Sequence, residues 1–350
     1  MKFFAYFLPQ FYPTPENDKY WGKGFTEWTN VKGAKPLFKG HKQPLEPTKF
    51  GYYDLSNNET LQEICEYSQS MGIDAFCYWH YWFDNGYKTL EKVPEMHLAN
   101  KAIKQNFFFS WANHDWTKSW VGQDKTLIFK QQYSKSSAIE HFKYLKQFIT
   151  DERYVRINDK PVLQVFEPET DSCFEYIQIL EDQAIEAFGK GFYWLFPERQ
   201  KIEKIAHFEH SKVGFPPANT KILYFMIARL LQQKGFIKKC LAFSEKTYLK
   251  ALRKNIRKYN TNGNSYIPCL FSGWDNTPRY GKKGYLFKTD IPTFLEKQFE
   301  MLEEEIGKDK LDIVFIKAWN EWAEGNILEP FAFNGEETNP AEILIKLKQR

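Results

Sequence analysis

The stretch DIVFIKAWNEWAEG, residues 312–325, joins a short apolar run to a burst of tryptophan, asparagine and glutamate. A run this short and this rich in Ile, Val and Phe, Asp312 to Ala318, reads as a buried strand. The polar and aromatic residues after it read as the strand's exit. Working outward, the same pattern recurs at Phe3 to Phe7, Ile73 to Tyr78, Phe107 to Trp111, Pro161 to Phe166, Phe192 to Phe196, Lys212 to Phe215 and Tyr266 to Phe271. Helical spacing falls between these runs, at Glu59 to Met71, Ala138 to Ile149, Ser172 to Phe188, Thr220 to Lys258 and Ile291 to Ile306. Strands alternating with helices, eight in all, predict an α/β fold of the (β/α)8 TIM-barrel type. We expect one catalytic domain over residues 1–350, with a long N-terminal loop (Pro9 to Thr48) and a basic helical insertion at 220–260. A doubly wound open sheet is the alternative, but no Gly-x-Gly-x-x-Gly turn follows any of the strands.

Composition narrows the function. The 350 residues carry 48 Lys and Arg against 44 Asp and Glu, a net charge of +4, so the chain lacks the concentrated positive charge of a nucleic-acid binder. No nucleic-acid partner is expected. No apolar run approaches the ~20 residues that cross a bilayer, and the run Ile222 to Leu231 contains Arg229. The start, MKFFAYFLPQFYP, is interrupted early by Pro9 and Gln10 and reads as a first strand, which favours the cytoplasm. Five widely spaced cysteines fit small buried thiols. Between Lys234 and Lys258 nine Lys or Arg face a single Glu. Such a run is ordinarily a solvated helix face, and contact with an anionic membrane or an acidic glycan is the rarer use. What stands out is an aromatic content of 18% at a mean hydropathy of −0.58.

In a (β/α)8 barrel the loops after the strands build the site. Here they read LPQFYP (8–13), WHYWF (79–83), WANHDW (111–116), SGWDNTPR (272–279) and AWNEWAEG (318–325), with GFTEW (24–28) in the long first loop. Rings interleaved with Asn, Asp, Glu and His suit a carbohydrate: sugar C–H faces stack on aromatic planes and hydroxyls take polar partners. The binding set is therefore Gln10, Tyr12, Glu27, Trp28, Trp79, His80, Tyr81, Trp111, Asn113, His114, Asp115, Trp116, Trp274, Asp275, Asn276, Arg279, Trp319 and Asn320. Core packing explains the tryptophans equally well, structural hydrogen bonding the two histidines, and an Asx turn Asp275 and Asn276. Glu321 and Glu324 are the catalytic pair. Three residues apart on a helical turn, their Cβ atoms lie about 5 to 6 Å from each other. Close carboxyls push their pKa values apart, leaving one acid and one base, as glycosidic chemistry requires. His207, Glu209 and His210 lack a separated third ligand, and no metal or other cofactor is expected.

The segments LPQFYPTPENDKYWGKGFTEWTNVKGAKPLFKGHKQP, GIDAFCYWHYWF, WANHDWT, SGWDNTPR and AWNEWAEGNILEP resemble the WbsX-type domain of bacterial surface-polysaccharide loci over nearly the whole chain. That domain is similar to glycoside hydrolase family 99, endo-α-mannosidases of (β/α)8 fold. The resemblance implies a retaining, endo-acting reaction in which the first glutamate acts on the sugar's own 2-hydroxyl, giving a 1,2-anhydro sugar, and the second is the acid/base. Carried over, Glu321 takes the base role and Glu324 the acid/base role. Tyr12 stands where His is expected, and His114 falls at an acidic position of the pattern. The sequence thus predicts a glycoside hydrolase acting on a polysaccharide or oligosaccharide. A glycosyltransferase of surface-polysaccharide assembly and a non-catalytic glycan-binding module are the alternatives, though no Asp-x-Asp motif supports a nucleotide-sugar donor.

Overall fold

The computed structural model describes residues 1–118, 126–214, 223–260, 266–307 and 310–350. Eight parallel strands form a closed barrel: β1 (Lys2–Phe7), β2 (Ile73–Trp82), β3 (Asn106–Trp111), β4 (Lys160–Val165), β5 (Tyr193–Pro197), β6 (His210–Val213), β7 (Tyr266–Ile267 and Cys269–Phe271) and β8 (Ile313–Lys317). Closure falls on β7. Its first piece pairs with β6 and its second with β8, and Pro268, which has no N–H to give to a ladder, separates them. Phe215, the predicted end of β6, lies outside the described residues.

Period-two alternation sorts the side chains of each strand. Inward, Phe4, Phe108 and Phe315 meet edge to face with centroids 5.4, 5.7 and 5.9 Å apart. Toward the C-terminal end, the Tyr6 hydroxyl donates to Gln164 at 2.9 Å and Trp79 stacks on Tyr6. Outward, Phe107 and Phe109 pack on Phe148 of the helical layer. All five cysteines are buried and free.

The first loop is less irregular than its prolines imply, since it holds two short helices, α1 (Pro15–Trp21) and α2 (Glu27–Gly33), capped by the hydroxyls of Thr14 and Thr26. Outer helices follow as α3 (Asn58–Ser70), α4 (Lys92–Ala99), α5 (Lys135–Ile149) and α6 (Asp171–Phe188). The segment expected as one long helix is broken into α7 (Leu223–Gln233), a strand Leu241–Ser244 and α8 (Glu245–Asn260). Gly235 turns the chain at φ +80, and beyond it Leu241 and Phe243 are buried while Ala242 and Ser244 are exposed, a period of two rather than 3.6. Residues 220–222 of that prediction lie outside the described ones. α9 (Thr277–Tyr280), α10 (Ile291–Ile306) and α11 (Glu342–Gln349) complete the chain. Among the described residues no helix is long and apolar enough to cross a membrane.

Candidate active site

Strand β8 delivers its last inward residue, Lys317, to the C-terminal mouth of the barrel, and the chain then folds back on itself. Asn320–Glu321 pairs antiparallel with Asn326–Ile327 around a single 3-10 turn, Trp322–Glu324. Residues three apart eclipse in such a turn, so Glu321 and Glu324 stand together. Gly325 makes the turn possible. Its φ is +63, and a Cβ there would lie 2.9 Å from the Asp275 nitrogen. This close approach lets the Asp275 N–H donate to the Glu324 carbonyl at 2.7 Å, which docks the β7 exit against the β8 exit.

The docked loop carries α9 and with it Arg279. Its Nη1 donates to Glu324 Oε1 at 2.7 Å, while Nε and Nη2 reach Glu27 Oε2 of α2 at 3.2 and 3.1 Å. Lys317 Nζ approaches the other Glu324 oxygen at 3.3 Å and lies 4.6 Å from the Trp274 ring centroid. Two cations and three carboxyls thus share one largely buried site. Burial and the Glu324 charge push Glu321 well above the ordinary carboxyl range. Burial acts the same way on Glu324, but Lys317 and Arg279 outweigh it and hold Glu324 well below that range. The surroundings thus drive the pair apart, Glu321 toward the neutral acid and Glu324 toward the carboxylate. Burial also raises Glu27 against the pull of Arg279. Tyr81 of β2 faces the same cluster, its hydroxyl raised by burial and by Glu321.

The structure therefore gathers Glu27, Tyr81, Arg279, Glu321 and Glu324 at one point, with Trp274 beside Lys317 and Trp116 beside Tyr81 at 5.9 Å. Trp79 lies at the top of the barrel interior between Tyr6 and Phe166. Gln10 is buried next to Asn17, and its Oε1 has no hydrogen-bond partner among the described residues. Half-buried His114 sits near Glu167, Asp115 and Arg199, its imidazole lowered chiefly by burial.

Other members of the predicted set are engaged elsewhere. Strand β2 runs on to Trp82, four residues past its expected end, so His80 points outward, bonded to His141 at 2.9 Å beneath Trp82. Trp111 donates to the Trp82 carbonyl and packs on Tyr176. Trp28 donates to the Tyr53 carbonyl, against Phe11 and Trp322. Trp319 donates to Glu329 within the core. Asn113 clamps the Glu167 backbone, Asn320 that of Leu8, and Asn276 accepts from the Tyr285 N–H. Asp115 is exposed and accepts from the Gln131 N–H. Tyr12 packs near Lys92 at the start of α4. Asp275 accepts from Gln43 at 2.8 Å and pairs with His41, and it lines a cavity of about 330 Å³ that also touches Phe38, Trp274 and Gly325.

Two residues with work in this region escaped the sequence reading. Lys317 looks like an ordinary strand residue, yet it stands two positions after inward-facing Phe315, which is the signal that would have found it. Glu329 is buried and accepts from Trp319 at 2.9 Å, Trp322 at 2.6 Å and Tyr53 at 3.0 Å. No short motif marks it.

A closed parallel barrel of eight strands places the chain in the (β/α)8 fold class, here with a carboxyl pair on the turn after its last strand. Within that class, the chain belongs to the family described as Glycosyltransferase WbsX, whose pattern matches residues 3–338. It is 31% identical over 342 residues to the uncharacterized protein WxcX of Xanthomonas campestris pv. campestris, covering 94% of this chain. The match takes in 47% of WxcX, so the chain spans about half the length of this relative. Its fold is that of the GH99 endo-alpha-mannosidase from Bacteroides thetaiotaomicron, with a TM-score of 0.58 at 12% identity over 99% of this chain and 95% of the other. A glycoside hydrolase-like protein superposes with a TM-score of 0.59 at 10% identity, covering 99% and 93%.

Proposed function

We propose that the chain is a retaining, endo-acting glycoside hydrolase of a bacterial polysaccharide or oligosaccharide, with Glu321 and Glu324 as its proton-transfer pair. The observation that carries this reading is the placement of both carboxyls on one turn at the barrel mouth, with Arg279 and Lys317 against Glu324. Cleaving a glycosidic bond needs an acid for the leaving oxygen and a base for the attacking one. This pair supplies both. Both glutamates project from one turn, whereas inversion requires carboxyls about 6.5 to 9.5 Å apart with water between them. Attack by the sugar's own 2-hydroxyl needs no such gap. The 2-oxygen closes on C1 as the C1–O bond breaks, the base takes the hydroxyl proton, and the acid protonates the departing oxygen. Water then opens the anhydro sugar with the two roles exchanged.

Replacing Glu321 or Glu324 with Gln lowers the release of reducing ends from purified surface polysaccharide about a thousandfold. Full activity in both variants overturns the proposal. The electrostatics favour the protonated form at Glu321, whereas the resemblance gives the acid role to Glu324. A substrate whose leaving group needs no protonation decides between them: it restores activity to the variant that lacks the acid and not to the one that lacks the base.

The family's description favours a second reading, in which the sugar passes to an acceptor hydroxyl from an activated donor. Against it, Arg279 and Lys317, the cations described at the site, are both paired with carboxylates. Thermal-shift titration with nucleotide sugars and with polysaccharides separates the readings, because a donor-dependent enzyme is stabilised by the former.

A further inference from the structure

Helix α7 and the turn after it leave an apolar face uncovered. Met226, Ile227, Leu230 and Leu231 are all exposed, and Phe236 follows at 77% exposure. Residues at i, i+1, i+4 and i+5 make one stripe along a helix. The opposite side is pinned. Ala228 and Gln232 are buried, and Gln232 Nε2 donates to the carbonyls of Lys239, Lys282 and Gly284 at 3.0, 3.1 and 3.0 Å. Arg229 donates to the Lys283 carbonyl and lies 4.8 Å from the Tyr285 ring centroid. With these contacts fixed, the stripe points away from the barrel.

The charged residues of its own segment have one sign. From His210 through Ser244 the sequence contains no Asp or Glu. Lys234, Lys238 and Lys239 are exposed beside the stripe, and Lys282 and Lys283 are exposed across the pinning contacts. An apolar stripe edged by ammonium groups complements a surface that is apolar inside and anionic at its edge, which describes a bilayer containing acidic lipids. The helix is also tied to the candidate active site, because residues 282–284, which Arg229 and Gln232 grip, closely follow α9 and its Arg279.

We propose that α7 and the 234–239 turn dock the chain on an anionic lipid bilayer, holding the mouth of the barrel at the headgroup plane so that its substrate is a membrane-anchored glycan. The substrate half of this inference rests on the function proposed above; the docking half does not. Sedimentation of the whole chain with vesicles tests it, comparing phosphatidylcholine alone with phosphatidylcholine containing about one-third phosphatidylglycerol. The chain is expected to sediment with the acidic vesicles alone, and less so as salt is raised. Reversing charge at Lys234, Lys238 and Lys239 together lowers partitioning about tenfold or more. L230E, at an exposed position, does the same with an unchanged thermal midpoint. E324Q binds vesicles like the wild type, so a failed glycan assay with intact vesicle binding breaks the proposed function and leaves docking standing. No binding to acidic vesicles, or equal binding by L230E, overturns the proposal. So does a concentration-dependent dimer dissolved by L230E, which assigns the stripe to a second copy of the chain.

Discussion

Two clusters at the C-terminal end of the barrel use similar residues for opposite ends. Inside the ring, Tyr81, Glu321, Glu324, Arg279 and Lys317 concentrate charge in a largely buried site. On the helix side of the same strands, His80, His141, Trp82 and Trp111 stack and hydrogen-bond with no ion pair among them. Burial lowers the His80 imidazole to about 3 and moves His141 in the same direction. Tyr81 and His80 are sequence neighbours, and the pleat alone sends one to each cluster. A ring or an imidazole at a strand exit therefore has no fixed meaning until the parity of its position is known.

The comparison breaks most readily at the inner cluster. Replacing Arg279 with Met leaves Glu27, fully buried, without its cation, and removing one partner of a buried pair costs about 3 to 5 kcal/mol. Chemical denaturation should show that loss, and it should shrink when E27Q is combined with R279M. If the single and double variants are equally unstable, the two residues are not coupled. Next in size is Glu329→Ala, which orphans three buried donors, from Trp319, Trp322 and Tyr53. At about 1 to 3 kcal/mol for each lost partner, a fall of roughly 3 kcal/mol or more is expected in the same measurement.

The outer cluster gives a smaller, pH-dependent effect. A histidine lowered in the folded state binds its proton first in the unfolded chain, so it leaves stability intact above about 6.5, the ordinary imidazole value. Stability is lost as pH falls from there toward about 3, where His80 itself titrates. The slope contributed is at most about 1.4 kcal/mol per pH unit for each histidine. H80Q should flatten the acid limb of a stability-against-pH curve relative to wild type. An unchanged limb would mean that His80 already carries its proton in the folded chain.

How much the sequence disclosed depended on the range of the signal. The barrel was legible because each strand is a short apolar run between helical periods, and the Glu321–Glu324 pair because three-residue spacing is local. The long first loop concealed α1 and α2, whose seven residues each are too few for a hydrophobic period to emerge among prolines and glycines. The orientation of His80 was hidden for another reason. It depends on where a strand ends, and the cross-strand pairing that carries β2 on to Trp82 involves Lys88 and Thr89 after an intervening turn. Arg279 was legible as a polar exit residue, but its bridging of Glu27 and Glu324 joins positions 252 and 45 residues apart. Only the folded chain brings those together.

The central claim is that the inner cluster acts on a glycan and the outer one only packs. Reducing-end release from purified surface polysaccharide, measured side by side for wild type, E324Q and H80Q at neutral pH, tests it most directly. The account predicts about a thousandfold loss for E324Q and a change of no more than a few-fold for H80Q. Activity that survives E324Q while failing in H80Q would contradict it.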